Sequence, residues 1–529
     1  MYYVIGSGPS GVSAAVALLK QNREVTMLDG GLGLEPEREQ LVRRLAEQDA
    51  AEWSPQAVSR LKENMDSGAS GILLKYSYGS DFPYRETEVH APREAKGVGL
   101  LPSLARGGLS NVWGAAVLPY LAEEFEGWPV TRDEMAPHYR AALGFMRVTA
   151  ASDDLEPRFP LYSDDCAPPR PSAQAEAFLA DLRRGRDLLR SRGFLFGYSR
   201  IAVSPRSRQG RDCAACGLCM YGCPYGLIYN SAATLDELRL DPRFRYVGGV
   251  VVERFSEAGG RVDIEARSRE DGQRLTFVGS RVYVAAGVLS STRMLLASLR
   301  AYDRPLTLKD SQYFLLPLLR YRPSPGVFGE RLHTLSQAFV ELFDPEVSEK
   351  SVHLQVYTYN EMYRQAIENS LRRAYRPLRF AADAFLRRFL LLQGFLHSDL
   401  SAEIQVKLRA ARDGSPDTLL LEGRRNGRTD RALKKVVAKL GRSRALLRAV
   451  PLSPLMKVGE PGRSFHAGGT LPMRGEPGEF ETDVLGRPAG FERVHVVDSS
   501  VFPTINASPI TLTVMANAHR IASAVHEGD

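Results

Sequence analysis

The chain has 529 residues, 44% of them apolar and 25% charged, and a net charge of +7. That length exceeds one simple domain, so two linked domains with ample core are expected, and the composition is that of an ordinary globular protein. No apolar run approaches the ~18 residues of a membrane span. The first strand starts at Tyr2, which leaves no room for a signal peptide, so the cytoplasm is the expected compartment.

Tyr2-Tyr3-Val4-Ile5 is a short apolar run ended by Gly6, and an Ala- and Leu-rich helical pattern follows over 11–20. Glu24-Val25-Thr26-Met27-Leu28-Asp29 reads as a second strand, ended by Gly30-Gly31. This is strand–helix–strand in about thirty residues. The loop between them, Gly6-Ser7-Gly8-Pro9-Ser10-Gly11, fits G-x-G-x-x-G. The first glycine permits the tight turn, the second lets backbone approach a pyrophosphate, and the third lets helix pack on strand. Free N–H groups at the helix start then hold the diphosphate. Asp29 closes the second strand where an acid binds a ribose hydroxyl. The motif alone does not separate FAD from NAD.

A polar, helix-prone stretch follows over 35–67, with no functional reading. Glycine-rich text returns over 96–114, and 130–240 mixes helices with proline-rich loops. Alternation predicts strands at 246–255, 261–268, 274–278 and 281–286, then near 312–322, 353–359 and 402–408. Residues 459–529 return to glycine-rich loops and a final Ala-rich helix.

Between the later strands lies a basic segment. Arg364, Arg372, Arg373, Arg376, Arg379, Arg387 and Arg388 are interleaved with Leu, Ala and Phe. Helical spacing gives one basic and one apolar face. The alternatives are a surface helix with a solvated basic face, a helix lying on an anionic membrane at the inner membrane face, or a grip on a phosphorylated substrate. Aromatic interleaving is weak, so nucleic acid is not an expected partner.

Four of the five cysteines fall in one run, Cys213-x-x-Cys216-x-x-Cys219-x-x-x-Cys223-Pro224. This spacing is that of a bacterial ferredoxin run, whose thiolates wrap a [4Fe–4S] cube. No second run exists, so Cys223 would have to close the same cluster, or Cys166 supply the fourth ligand. A structural zinc and plain thiols are the alternatives.

Three further segments carry a resemblance. They are Arg106-Gly107-Gly108-Leu109-Ser110-Asn111-Val112-Trp113-Gly114, Val284-Ala285-Ala286-Gly287-Val288-Leu289-Ser290-Ser291, and the C-terminal pair Phe465-His466-Ala467-Gly468-Gly469-Thr470 and Val497-Asp498-Ser499-Ser500-Val501-Phe502-Pro503. With the first loop, these resemble the motifs of the glucose–methanol–choline (GMC) oxidoreductases. The resemblance implies that both chain ends meet around one FAD. It also implies contacts from Gly6, Ser7, Gly8, Pro9, Ser10, Gly11, Asp29 and Gly30, and from Arg106, Gly107, Gly108, Ser110, Asn111 and Val112. Val251, Ala286, Gly287, Asp498 and Ser499 follow, with Val250 and Val251 flanking the adenine. Thr511 opens a helix whose N-terminus would face the flavin's pyrimidine end, where it could stabilise negative charge. Some relatives bond the flavin covalently through a histidine where this chain has Val112, so non-covalent FAD is expected. Cysteine-rich text ending in Gly-Cys-Pro-x-Gly, followed by a patch like Asn230-Ser231, also occurs in such relatives without iron.

His466 is the candidate base for a hydroxyl proton, since an imidazole titrates near working pH. The family places a second histidine or asparagine before a proline. Here Asn506-Ala507-Ser508-Pro509 puts Ser508 at that place and Asn506 two residues earlier. Serine reaches less far and carries no charge. His519 reads as packed.

The expected fold is α/β: a Rossmann-like FAD domain from 1–130, 240–305 and 459–529, a connecting region 131–239 with the cysteine run, and a substrate domain 306–458 on a largely antiparallel sheet. The expected activity is hydride transfer from the CH–OH of a small-molecule alcohol (a sugar, sugar derivative or polyol) to FAD, with an iron–sulfur cluster exporting electrons to a protein or quinone acceptor. The alternatives are a lipid or sterol-like alcohol oxidised at a membrane surface, and a flavo-iron–sulfur electron carrier or redox sensor without alcohol chemistry.

Overall fold

A computed structural model describes residues 1–63, 66–67, 71–411, 415–424 and 426–524. The end of the expected C-terminal segment, 525–529, and residues 64–65 of the helix-prone stretch lie outside the described residues.

Five strands form a parallel sheet in the order Val494–Val496, Arg281–Val284, Tyr2–Ile5, Val25–Leu28, Phe244–Val247. The first four are buried along their whole length, as expected for a sheet covered on both faces. Alternation sorts their side chains. Tyr2, Val4, Val25, Met27 and Tyr283 pack with Val12, Leu18 and Ile521 from helices Pro9–Lys20 and Thr511–Ser523. Tyr3, Ile5, Val282 and Val284 point the other way, into a larger core. There they meet helix Val288–Ser298 and an antiparallel meander of Val250–Ala258, Arg261–Ser268 and Arg274–Gly279.

The run over 246–255, read as one strand, is two. Gly248 and Gly249, the latter at φ +76°, break it, so that Phe244–Val247 joins the parallel sheet and Val250 starts the meander. No side chain other than hydrogen adopts that φ readily.

A second sheet runs in the order Ala449–Pro451, Tyr313–Arg320, Phe389–Leu396, Val352–Tyr357, Ala338–Leu342, Phe194–Tyr198, with all pairs antiparallel. The sequence reading missed strands Ala338–Leu342 and Phe389–Leu396. Both are buried almost throughout, so they lack the alternation that reveals a half-buried strand. One face of this sheet carries Phe314, Leu316, Val340, Leu354 and Leu392 against helices Ala173–Arg184 and Gly427–Arg442. The opposite face carries Tyr313, Glu341, His353, Gln355, Tyr357 and Phe395, and there the polar groups gather.

The basic segment folds as two helices, Glu361–Leu371 and Tyr375–Leu386, broken at Arg372, which has φ +49°. A third sheet joins the C-terminal motif to the rest of the chain, in the order Ala467–Gly468, Leu306–Asp310, Glu403–Arg409, Thr418–Arg424, Arg93–Lys96. Among the described residues no helix is long and apolar enough to cross a membrane.

Candidate active site

The first loop is shaped by sterics. A Cβ on Gly11 would lie 1.9 Å from the Gly6 carbonyl oxygen, and one on Gly6 would lie 2.6 Å from the oxygen of Ala285. By contrast, a Cβ on Gly8 would meet nothing within 4 Å. Gly8 caps helix Pro9–Lys20 with no side-chain hydrogen bond, so the first-turn N–H groups of Ser10 and Gly11 have no side-chain cap. An uncapped helix start beside a space free of side chains fits the diphosphate of a dinucleotide.

Asp29 is buried and accepts from Ser7 N (3.0 Å), Gly31 N (3.1 Å) and the Tyr246 hydroxyl (2.9 Å). Burial raises its carboxyl above the usual range, against the pull of these bonds. Gly30 lies so close to Leu104 that a Cβ would be 2.7 Å from its carbonyl oxygen. Val251 packs beside the same loop, with Leu32 and Leu104.

Segment 106–114 lies on the first loop. Gly107 N donates to Ser7 Oγ (2.9 Å), and a Cβ on Gly108 would be 3.3 Å from Gly8 Cα. Ser110 Oγ donates to the Gly107 carbonyl (2.5 Å) and lies 3.0 Å from Ser231 Oγ. Asn111 Nδ2 donates to the carbonyls of Arg106 and Gly108. Asn230 Nδ2 donates to Asn111 Oδ1 (2.6 Å), and Ser231 Oγ to the Ser7 carbonyl (3.0 Å). Arg106 pairs with Asp236. Thus Asn230 and Ser231 belong to the site as tethers. The sequence noted the patch without giving it that role. Val112 ends the short turn of this loop, and Trp113 Nε1 donates to the Tyr229 carbonyl (2.8 Å).

The C-terminal motifs meet each other. Ser499 Oγ donates to the Ala467 carbonyl (2.7 Å), and Gly469 N to that of Ser499 (2.9 Å). A Cβ on Gly468 would lie 2.2 Å from the Ser499 oxygen, so only glycine fits. The Asp498 carboxylate accepts from Gly287 N (2.9 Å), Ser500 N (2.9 Å) and the hydroxyls of Ser291 and Ser500. It therefore ties the C-terminal motif to the turn Ala286-Gly287 ahead of helix Val288–Ser298. Gly287 itself, at φ +81°, has nothing within 4 Å of its would-be Cβ. Thr511 starts a helix without a side-chain cap, leaving its first N–H groups open.

His466 is set by residues far away in the chain. Asp310 accepts from Gly462 N and Ser464 Oγ, both at 2.8 Å. Ser464 Oγ in turn accepts from His466 N (2.9 Å), while Ser311 N donates to the His466 carbonyl (3.0 Å). Phe465 takes φ +58° in this turn, a conformation costly for a bulky residue. Burial raises the Asp310 carboxyl to about 7. Nothing in the local text around Asp310 advertised this role.

The imidazole of His466 stacks on Phe395, with centroids 4.8 Å apart and planes at 23°. His353 stacks on the same Phe395 at 6.0 Å and 29°. His353 Nδ1 sits 2.5 Å from Glu341 Oε1, both fully buried. Ala507 packs with Tyr313 and Phe395, which brings the Asn506–Ser508 turn to the same place. Asn506 Oδ1 accepts from Ala507 N (2.7 Å), and the Tyr120 hydroxyl accepts from Asn506 N (3.3 Å).

Three atoms here are buried with no hydrogen-bond partner: His466 Nδ1, Asn506 Nδ2 and Ser508 Oγ. Buried polar atoms are normally paired, so an unpaired set at one place fits a ligand that completes it. Burial, with His353 adding to it, lowers His466 to about 3, which keeps the ring neutral and makes it a weaker base than a free imidazole. His519 lies elsewhere, with its Nδ1 2.9 Å from that of His138.

The chain is 24% identical, over an alignment of 566 positions, to a 6'''-hydroxyparomomycin C oxidase of Streptomyces lividus; the match covers 99% of this chain and 90% of that one. Among solved structures, it is similar to pyridoxine 4-oxidase from Mesorbium loti, with a TM-score of 0.59 and 16% identity over 98% of both chains. The two share a fold. No protein-family model matches the chain.

The cysteine run finds no support as an iron–sulfur site. Among the described residues no group of three or more His, Cys, Asp or Glu is placed to hold a metal ion, so nothing supports the expected [4Fe–4S] cluster at Cys213, Cys216, Cys219 and Cys223. The segment is instead tied down as structure. Cys213 and Cys223 pack on a small core of Trp53, Leu61, Leu218 and Tyr225, Cys219 packs on the main core, and Cys216 bridges to Leu332. Burial, with Cys219 and Cys216 close by, raises Cys223 to about 12, so in the metal-free chain it is a thiol at neutral pH. The Tyr78 hydroxyl donates to the Cys223 carbonyl (2.8 Å). Lys75 lies beside Cys219 and Cys223, donates to the Trp113 carbonyl (2.8 Å), and is lowered to about 8 by burial. Neither the motif nor its spacing revealed Lys75.

Proposed function

We propose that the protein is an FAD-dependent oxidoreductase of the GMC type that oxidises a hydroxyl group on a small sugar, sugar-derivative or polyol substrate. The observation that carries the reading is that His466 Nδ1, Ser508 Oγ and Asn506 Nδ2 are all buried and unpaired, in a C-terminal segment whose motifs bind one another and the Gly287 turn. The two similar proteins are both named oxidases, one of 6'''-hydroxyparomomycin C and one of pyridoxine.

In this reading 1–130, 240–305 and 459–529 hold FAD, with Gly8 and the start of helix Pro9–Lys20 at the diphosphate, Asp29 toward the ribose, and segment 106–114 along the ring. FAD, when bound, supplies the two-electron acceptor. His466, neutral through burial, takes the hydroxyl proton. Ser508 and Asn506 hold the substrate oxygen, with the serine replacing the family's longer second residue. Phe395 fixes the plane of the imidazole. Dioxygen is the final acceptor in this reading and, taking two electrons and two protons, leaves as hydrogen peroxide.

The test is to add FAD to the purified chain, record its visible spectrum, and mix it anaerobically with a panel of sugars, amino sugars, polyols and pyridoxine. Bleaching of the flavin bands by one class, with stoichiometric peroxide when air is admitted, is the expected result. Failure to bind FAD overturns the reading. FAD that responds to dithionite but to no alcohol on the panel removes the hydroxyl chemistry and leaves an electron carrier.

A further inference from the structure

Two basic amphipathic helices cover the second sheet's surroundings, and they end up differently. Helix Gly427–Arg442 carries Arg428, Arg431, Lys434, Lys435 and Lys439 and buries its apolar stripe of Ala432, Leu433, Val436 and Leu440 in the core. Its charge is a solvated face. Helix Tyr375–Leu386 buries only Ala382 and Leu386. Its C-terminal end is anchored, with Leu386 and Phe385 packed on Val327, Phe328 and Tyr359. Its N-terminal half overhangs: Leu378, one turn before Ala382 on the same stripe, is 45% exposed, and Phe380 is 88% exposed. Phe380 is the one exposed phenylalanine among the described residues.

Around this overhang basic charge dominates, with Glu368 one turn before Arg372 and Asp383 beside Arg379. Arg372, Arg373 and Arg376 are exposed and have no acidic partner among the described residues, and Arg376 lies one turn from Phe380 on the same face. Arg379 is also exposed, with Asp383 3.9 Å away. A purely polar anion would satisfy the arginines and leave Phe380 in water. An apolar protein surface would bury the phenylalanine and strand three guanidinium groups. An anionic bilayer surface meets both needs, since acyl chains take the aromatic ring while headgroups take the charge. We infer that the outer face of this helix pair, from Arg372 to Ala381, docks the protein on a membrane rich in anionic lipid.

The probe is vesicles of phosphatidylglycerol with phosphatidylcholine, against phosphatidylcholine alone, with the full chain in a co-sedimentation assay. Binding to the anionic vesicles at low salt, weakened as salt screens the headgroups, is expected. Changing Arg372, Arg373 and Arg376 together to Gln should lower partitioning about hundredfold, at roughly fivefold per charge. Phe380→Ser should lower it about tenfold at any salt. All these residues are exposed, so the variants should melt at the parent temperature, which separates lost docking from lost folding. No binding to anionic vesicles at low salt overturns the proposal, as does binding that neither variant weakens. A face that joins two copies of the chain would show as a dimer dissolved by Phe380→Ser without vesicle binding, and that too overturns it.

Discussion

The nucleotide-type loops and the polar face of the second sheet satisfy their polar groups in opposite ways. In the loops, Asp29, Asp498, Ser110, Asn111, Asn230 and Ser231 all bond to another loop, so the scaffold is closed by its own residues. On and beside the sheet face, Glu341 Oε2, His353 Nε2, His466 Nδ1, Asn506 Nδ2 and Ser508 Oγ are buried and unpaired. The first region is closed by these bonds, apart from Arg106 Nε and Ser290 Oγ, which are also buried and unpaired. The second is a set of groups poised at a cost, since each unpaired buried polar atom costs about 1–3 kcal/mol. Substrate choice should therefore reside on the sheet face, and tolerance to mutation should differ sharply between the two.

The largest effect is expected where sterics leave no slack. Gly11→Val puts a Cβ 1.9 Å from the Gly6 oxygen and should abolish FAD retention, read as loss of flavin absorbance after gel filtration. A flavin-loaded Gly11→Val protein would show that the loop is not closed as described. Next comes His466→Ala. It should slow flavin reduction by substrate about 10²–10⁴-fold while dithionite reduction stays unchanged, checked by anaerobic stopped flow. Because burial lowers this imidazole to about 3, the wild-type rate should show no acid limb from it between about pH 5 and 8. A limb near pH 6.5 that vanishes in the variant would contradict the burial.

Phe395→Ala tests the stack on the sheet side. It removes the ring between His353 and His466 and should destabilise the fold by about 3–5 kcal/mol in urea titration. A loss below about 1 kcal/mol would mean that the stack is not a packed unit.

Stability should also fall in acid, with a sign that can be worked out. His466 is lowered to about 3, and His138, His333 and His519 to about 4, from 6.5. Between these values and 6.5 the unfolded chain holds protons that the folded chain does not, so stability rises with pH there and is lost as pH falls. Asp310, raised to about 7 from 3.8, acts the other way across 3.8–7, and burial also raises Asp29, Asp153 and Asp498. The histidine share is isolated by His333→Gln, whose melting temperature should fall less than the parent's from about pH 6.5 to pH 4, and equal falls would refute the shift. The smallest effect is expected at the surface cysteine: Cys216→Ser should change stability by less than about 0.5 kcal/mol. Protein purified anaerobically should carry no stoichiometric iron or sulfide, and about four irons per chain would restore the cluster reading of the cysteine run.

Legibility followed the range of the forces involved. The strand–loop–helix at the start could be read because its glycines answer to contacts within a few residues, such as Gly11 against Gly6. The cysteine spacing was just as clear as text, but ligation depends on where the thiols point once Trp53, Leu218 and Tyr225 have packed, which spacing does not carry. The basic segment showed its charge but not its break at Arg372, nor which of its apolar residues would stay outside.

The sequence by itself determined the parallel nucleotide-type unit, the two C-terminal motifs and the identity of His466, Ser508 and Asn506 as candidates. Short-range sterics and turn chemistry are written in adjacent residues. Only the tertiary structure decided that Asp310 would hold the His466 turn, that Phe395 would lie between two imidazoles, and that Asn230 and Ser231 would brace the first loop. These contacts join strands and loops scores or hundreds of residues apart. Their register is set by which faces bury together, and no local pattern carries that information.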